Sequence, residues 1–213
     1  MFTLVSWNIQ YGKGVDGRID LGRIAETVHK NGLPDVLCLQ EISRNYPSTD
    51  EGADQVKELE NFFPDYESFF GAVHDRSGGK EKTRKQFGNL VLTRLSPVQV
   101  LHHLLPSPAD PKARFMSRQI AELVIPANTT ELRVMTTHLE FFSEIQQLAQ
   151  IQRIREIHEE ASCQFHFPGK DMPDTPFELV KRPENTVICG DFNFTPDSTS
   201  YRKMTTRFSD KNM

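Results

Sequence analysis

No apolar stretch in the 213 residues approaches the length needed to cross a bilayer, so no membrane span is expected. The opening residues, Met1-Phe2-Thr3-Leu4, bring neither the basic segment nor the apolar one that directs secretion. Cysteine is scarce. Of Cys38, Cys163 and Cys189, the first and last sit inside apolar runs, which reads as small buried thiols in a reduced cytoplasm and not as a disulfide framework or a zinc site. Positive charge is not in excess either: the formal net charge is −4 and the pI about 6.0. No global field therefore advertises nucleic acid, and a nuclease would have to rely on a local basic rim. Internal repeats, a glycine-rich phosphate loop of the Walker type and zinc-ligand spacing are all missing, which excludes the mechanisms those patterns serve.

What is present is an ordinary soluble composition, with 37% hydrophobic and 25% charged residues, in a chain best read as one domain with a substantial core. Residues 2–9 alternate as a strand does. Asp20 is placed to cap a helix whose stripe is Leu21, Ile24, Ala25 and Val28, stopped by Asn31-Gly32 and Pro34. Residues 35–41 read as a buried strand. Val56, Leu59, Phe62 and Phe63 suggest a second helix, and residues 66–73 a strand. Residues 74–86 read as a loop carrying Arg76, Lys80, Lys82, Arg84 and Lys85 against Glu81, either a solvated charge run or a rim for a phosphorylated substrate. Further strands are expected over 88–94, 97–105, 116–125 and 131–139, with a turn at Asn128-Thr129-Thr130. The longest helix is expected over 142–161, its slanted stripe formed by Ile145, Leu148, Ile151, Ile154 and Ile157, with Gln147 among the polar residues covering the remainder. A surface excursion over 163–184 leads to a buried strand at Val187–Cys189, and Asp197 or Ser198 can cap a short helix through Met204.

Four of these strands end on polar groups: Asn8, Glu41, His138, and Asp191 with Asn193. Each alone is an unremarkable turn residue or structural hydrogen-bonder. Together they have a chemistry. Glu41 and Asp191 are hard oxygen ligands suited to Mg²⁺ or Mn²⁺, which take only one or two protein carboxylates beside water. Asn8 can orient a carboxylate. Asp191 can orient or deprotonate an attacking water, while His138 and the Asn193 amide can donate to a phosphoryl oxygen. In an extended chain Asp191 and Asn193 would share one face. This is a kit for metal-assisted phosphoester hydrolysis.

The ordered blocks Trp7-Asn8-Ile9, Leu39-Gln40-Glu41, Gly88-Asn89 before a strand ending at Arg94, Thr137-His138-Leu139 and Gly190-Asp191-Phe192-Asn193 resemble the endonuclease/exonuclease/phosphatase superfamily of DNase I-like enzymes. The resemblance spans residues 3 to 200, nearly the whole chain. It implies a four-layered α/β sandwich, two packed mixed β-sheets flanked by helices. It also implies Glu41 and Asn8 at the metal, His138, Asp191 and Asn193 in catalysis, and Arg118 and Asn89 at the substrate. One departure stands out: the family's closing Ser-Asp-His is matched here only by Ser209-Asp210-Lys211. The expectation is a chain truncated at its carboxyl end, lacking its last strands and leaving a sheet edge that promotes dimerisation. Two functions follow: a cytoplasmic Mg²⁺- or Mn²⁺-dependent phosphoesterase of nuclease or phosphatase type, or a catalytically incompetent metal- and phosphate-binding module. DNA, RNA, a phosphoinositide, a phospholipid and a small diester all remain open as substrates.

Overall fold

The computed structural model describes residues 1–79, 83–127 and 130–208. Its strands form two mixed four-stranded sheets. In the first, β1 (Leu4–Asn8) runs parallel to β2 (Val36–Arg44), and β4 (Arg84–Thr93) lies antiparallel between β2 and β3 (Glu67–Ser77). In the second, β5 (Gln99–Leu104), β6 (Gln119–Ala127) and β7 (Thr130–His138) are antiparallel neighbours, and β8 (Thr186–Asp191) adds parallel to β7. Each parallel pair requires a crossover, which α1 (Leu21–Lys30) provides for the first sheet and α3 (Glu144–His166) for the second.

Period-two alternation sorts side chains between the layers. Leu37 and Leu39 of β2 pack with Leu90 and Leu92 beneath α1 and α2 (Gln55–Phe62). Val36 and Cys38 point the other way and, with Val91, meet Ala121, Leu123, Ile125 and Val134 of the second sheet. Beyond that sheet, Ile120 and Met135 pack on Ile151, Ile154 and Ile157 of α3, with Met204 of α4 (Thr199–Thr205) against them. The elements therefore stack as helices, sheet, sheet, helices. Burial on both faces explains why β2 reads as an unbroken apolar run. Asp20 caps α1 as expected, accepting from Arg23 N, and Ser198, one of the two candidates, caps α4 through Tyr201 N.

Four expectations change. Among the described residues β8 is an edge strand, so Val187 is exposed and the run is not fully buried. The basic stretch is not all loop: Arg76 lies on β3, and Arg84 and Lys85 on β4, of an extended hairpin, while Lys80, Glu81 and Lys82 fall outside the described residues. The face of α3 is also different. At about 100° per residue, a three-residue spacing drifts round the helix. Ile145 ends on the side away from Ile151 and is exposed, whereas Gln146, Gln147 and Gln150 are buried. Finally, Cys38 is buried as expected, but Cys189 on β8 is only half-buried. Asn128, Thr129 and the Ser209-Asp210-Lys211 segment lie outside the described residues.

Candidate active site

The inter-sheet layer changes character along its length. Val36 and Val134 lie at its apolar end, and Ser6, Cys38 and Thr136 follow at the next inward-facing positions. Gln40 then donates from Nε2 to Ser6 Oγ at 3.3 Å and to Thr136 Oγ1 at 3.1 Å. The carboxyl ends of the two parallel strand pairs lie beyond it, and there the polar groups gather.

Two backbone irregularities aim them. The β2–β4 register breaks between Leu39 and Ile42, and Glu41 within the break adopts φ +62°. A bulge of this kind redirects a side chain that regular pleating would send elsewhere. On β8, Gly190 has φ +137°, and a Cβ built there would lie 1.9 Å from Thr137 O. Only glycine lets β8 run this close to β7 just before it delivers Asp191.

Asn8 is the hub. Its Nδ2 donates to Glu41 Oε1 at 3.0 Å and to Asp191 Oδ2 at 2.9 Å, while its Oδ1 accepts from Gln10 N at 3.0 Å. His138 is buried against the same two carboxylates, its Nδ1 3.9 Å from Glu41 Oε1 and its Nε2 3.8 Å from Asp191 Oδ2. Burial lowers the His138 pKa first and the Arg118 charge lowers it further; Asp191 only partly offsets them, leaving it at about 4. The ring is neutral near pH 7, with one N–H to donate and one nitrogen to accept.

Asn193 is brought to the site but is not extended. At φ +52° its backbone N donates to Asp191 Oδ1 at 3.0 Å, and its side-chain amide donates to Leu139 O at 2.9 Å. One N–H of that amide thus anchors the segment after His138. Arg118 is buried just before β6, with Nε 3.4 Å from Glu140 Oε2, and is close enough to Glu41 and Asp191 to feel both charges. Asn89 is buried on β4 beside the bulge, and among the described residues no hydrogen bond ties it to the Asn8 cluster.

Sequence reasoning missed two residues. Glu140, buried, pairs with Arg118 and accepts from the backbone N–H groups of Phe141 and Phe142. Gln147 of α3 donates from Nε2 to Glu140 O at 2.7 Å and Asn193 O at 3.0 Å, pinning the segments after His138 and Asp191 together. Its only cue was an amide one helical turn from Ser143.

Among the described residues, no three His, Cys, Asp or Glu side chains form a metal cage. Glu41 and Asp191, partly exposed and already clustered, nonetheless fit an ion such as Mg²⁺ that retains most of its waters.

Residues 5–211 match the profile of the endonuclease/exonuclease/phosphatase family. The chain belongs to that family. Its members are phosphoric ester hydrolases, typically metal-dependent. Solved structures agree on the fold. An endonuclease/exonuclease/phosphatase from Beutenbergia cavernae superposes with TM-score 0.60 at 20% identity, over 84% of this chain and 50% of that one. A mannosyl-6-phosphatase from Bacteroides thetaiotaomicron gives 0.63 at 16% identity, over 96% and 70%. TDP2 from Caenorhabditis elegans gives 0.57 at 17% identity, over 98% and 50%. The chain thus spans half the length of the first and third of these proteins. No curated protein sequence matches it.

Proposed function

We propose that this endonuclease/exonuclease/phosphatase chain, acting as one domain, hydrolyses a phosphodiester or phosphomonoester by attack of water, with Mg²⁺ or Mn²⁺ as cofactor. The observation that carries this reading is the Asn8 amide joining Glu41 to Asp191, with neutral His138 against both. Glu41, with Asn8 beside it, would hold the cation, whose chemistry is to neutralise charge on the phosphoryl oxygens. Asp191 accepts the proton of the attacking water, its orientation fixed by Asn8 and by Asn193 N. His138 donates its ring N–H to a phosphoryl oxygen as charge builds in the transition state. Asn193 and Arg118 act as positioning residues, the first through Leu139 and the second through Glu140. Asn89 completes the wall beside Glu41. The matching fold of a protein named as a phosphatase supports the reaction class, not a particular substrate.

The test is hydrolysis of bis(4-nitrophenyl) phosphate and 4-nitrophenyl phosphate, with Mg²⁺ and with a chelator, by the wild type and Asp191→Asn. Turnover should require the cation and fall about 10²–10⁴-fold in the variant, the usual span for losing a general base. Turnover indifferent to both changes would refute this assignment. Calorimetric Mg²⁺ binding without turnover of either ester would mark the chain as a metal- and phosphate-binding module instead.

A further inference from the structure

We infer that the rim beside this site docks on a lipid surface carrying anionic headgroups. Five large apolar side chains stand exposed there: Leu104 at 72%, Phe115 at 59%, Phe141 at 65%, Phe142 at 54% and Ile145 at 60%. Chain order places them at the catalytic end of the second sheet, with Phe115 in the loop that joins β5 to β6 there. Leu104 closes β5 opposite Gln119, the first residue of β6, while Phe141, Phe142 and Ile145 follow His138 at the end of β7.

The patch is held from beneath. Phe141 N and Phe142 N donate to Glu140 Oε1 at 3.0 and 2.8 Å, and the two rings meet edge to face at 5.1 Å between centroids. The preceding loop is tied to the same turn: Ser143 Oγ donates to Asp110 Oδ2 at 2.7 Å, Gln146 Nε2 to Pro108 O at 2.9 Å, and the Arg114 guanidinium lies 5.3 Å from the Phe142 ring centroid. A fixed backbone keeps these side chains in water when burial would be favourable, the mark of an interaction surface. Leu104 and Ile145 have no ring to stack on a nucleobase, but aliphatic and aromatic side chains alike insert among acyl chains.

Charge points the same way. Lys112 and Arg114 lie on the rim loop. The β3–β4 hairpin brings Arg76, Arg84 and Lys85 to the corresponding end of the first sheet, since Arg44 at the end of β2 pairs with Gln86. Outside the mouth, where Glu41 and Asp191 would share the proposed cation, the acidic groups facing them are Asp75, ion-paired with Arg84; Asp110, bonded to Ser143; and Glu144. The balance favours an anionic surface, and a few basic side chains near such a surface add to apolar insertion. Seated this way, the mouth would meet phosphoesters within the headgroup layer. That consequence rests on the proposed hydrolysis, whereas docking itself does not.

The experiment is flotation of the full chain with vesicles of phosphatidylcholine containing about a third phosphatidylserine. Binding should be present, weaken with added salt, and fall about tenfold or more in Phe141→Ser/Phe142→Ser. It should be unchanged in Val98→Ser, which removes an exposed apolar side chain at the far end of the sheet, where Val98 N donates to Val124 O. Matching thermal melting curves would show that the variants are folded. Failure of the wild type to bind, or equal binding by the double variant, overturns the proposal. So does a dimer that the double variant dissociates while no form binds vesicles, because the patch would then join two copies of this chain. The readout is binding, so loss of hydrolysis alone leaves it standing.

Discussion

Replacing Asn8 with aspartate changes one atom's chemistry at the hub and little else. In Asn8→Asp an acceptor oxygen takes the place of Nδ2, which lies 3.0 Å from Glu41 Oε1 and 2.9 Å from Asp191 Oδ2. Unit charges about 4 Å apart repel by about 4 kcal/mol at an effective dielectric near 20, and partial exposure of both neighbours reduces that to about half per pair. The introduced group also has an escape: it can take up a proton. From an ordinary pKa of about 3.9, protonation costs about 4 kcal/mol at pH 7 but only about 1.5 at pH 5. The electrostatic penalty is therefore capped at those values. Like charge raises the folded-state pKa of the introduced carboxyl above its unfolded value. The penalty is thus complete above the folded pKa and vanishes below the unfolded one. Asn8→Ala removes the same donor without adding charge and isolates the pH-independent part. Relative to that control, Asn8→Asp should melt about 8 °C or more lower at pH 7, and close most of the gap at pH 5, for a chain of this size. Millimolar Mg²⁺ should restore stability at pH 7 by binding only the folded chain. Differential scanning calorimetry of the three proteins at both pH values, with and without Mg²⁺, measures all of this. If the gap between the two variants does not grow with pH, the hub is not the junction of two ionised carboxylates.

Three further outcomes are expected. Glu122 lies buried on β6, accepting from Arg182 Nε and Nη2 at 2.8 Å each, with His103 at 3.0 Å and Arg133 at 3.8 Å. Burial alone would raise its pKa, but the hydrogen bonds from His103 and Arg182 and the arginine charges overcome that and hold it at about 2. Glu122→Gln should cost about 3–5 kcal/mol in urea unfolding, because it strands buried arginines. The wild type should lose this stabilisation progressively as pH falls from 4.5 to about 2, a slope the variant lacks. Gly190→Ala forces a Cβ to within 1.9 Å of Thr137 O at a backbone angle that disfavours side chains; melting should show a loss of about 3 kcal/mol, with ester hydrolysis reduced at least as much as in Asp191→Asn. Gln147→Ala frees the turns after His138 and Asp191 from each other, and kcat should fall about tenfold with KM little changed, since chemistry depends on their alignment.

Elements whose burial is local could be read from the chain, and elements whose burial depends on a distant partner could not. α1 carries its own cap and stripe, and β2 is apolar on both faces whatever lies opposite. Val187–Cys189 looks equally apolar, yet nothing in those residues tells that, among the described residues, β8 has a neighbour on one side only. α3 hides its amphipathicity because three glutamines, Gln146, Gln147 and Gln150, occupy the buried face as hydrogen-bond donors and acceptors to loops. Spacing misled at Asn193 because the i, i+2 rule assumes extended backbone, and the left-handed turn directs its amide to Leu139.

The location of the site, by contrast, was written in alternate residues. Along the inward face, β1 carries Leu4, Ser6 and Asn8; β2 carries Val36, Cys38 and Gln40; β7 carries Val134, Thr136 and His138. All three series pass from apolar to small to polar in the direction of the chain. A layer selected only for stability would not place amides and an imidazole there, because each buried polar group left unpaired costs about 1–3 kcal/mol. Gln40 Oε1 is such a group, buried with no partner among the described residues at the last step before the carboxylates. The same polarity gradient on strands from both sheets means that the two sheets converge on one polar end. That convergence, more than any single Asp-x-Asn or Thr-His-Leu, gathers Asn8, Glu41, His138 and Asp191 into one cluster, on which the proposed hydrolysis rests.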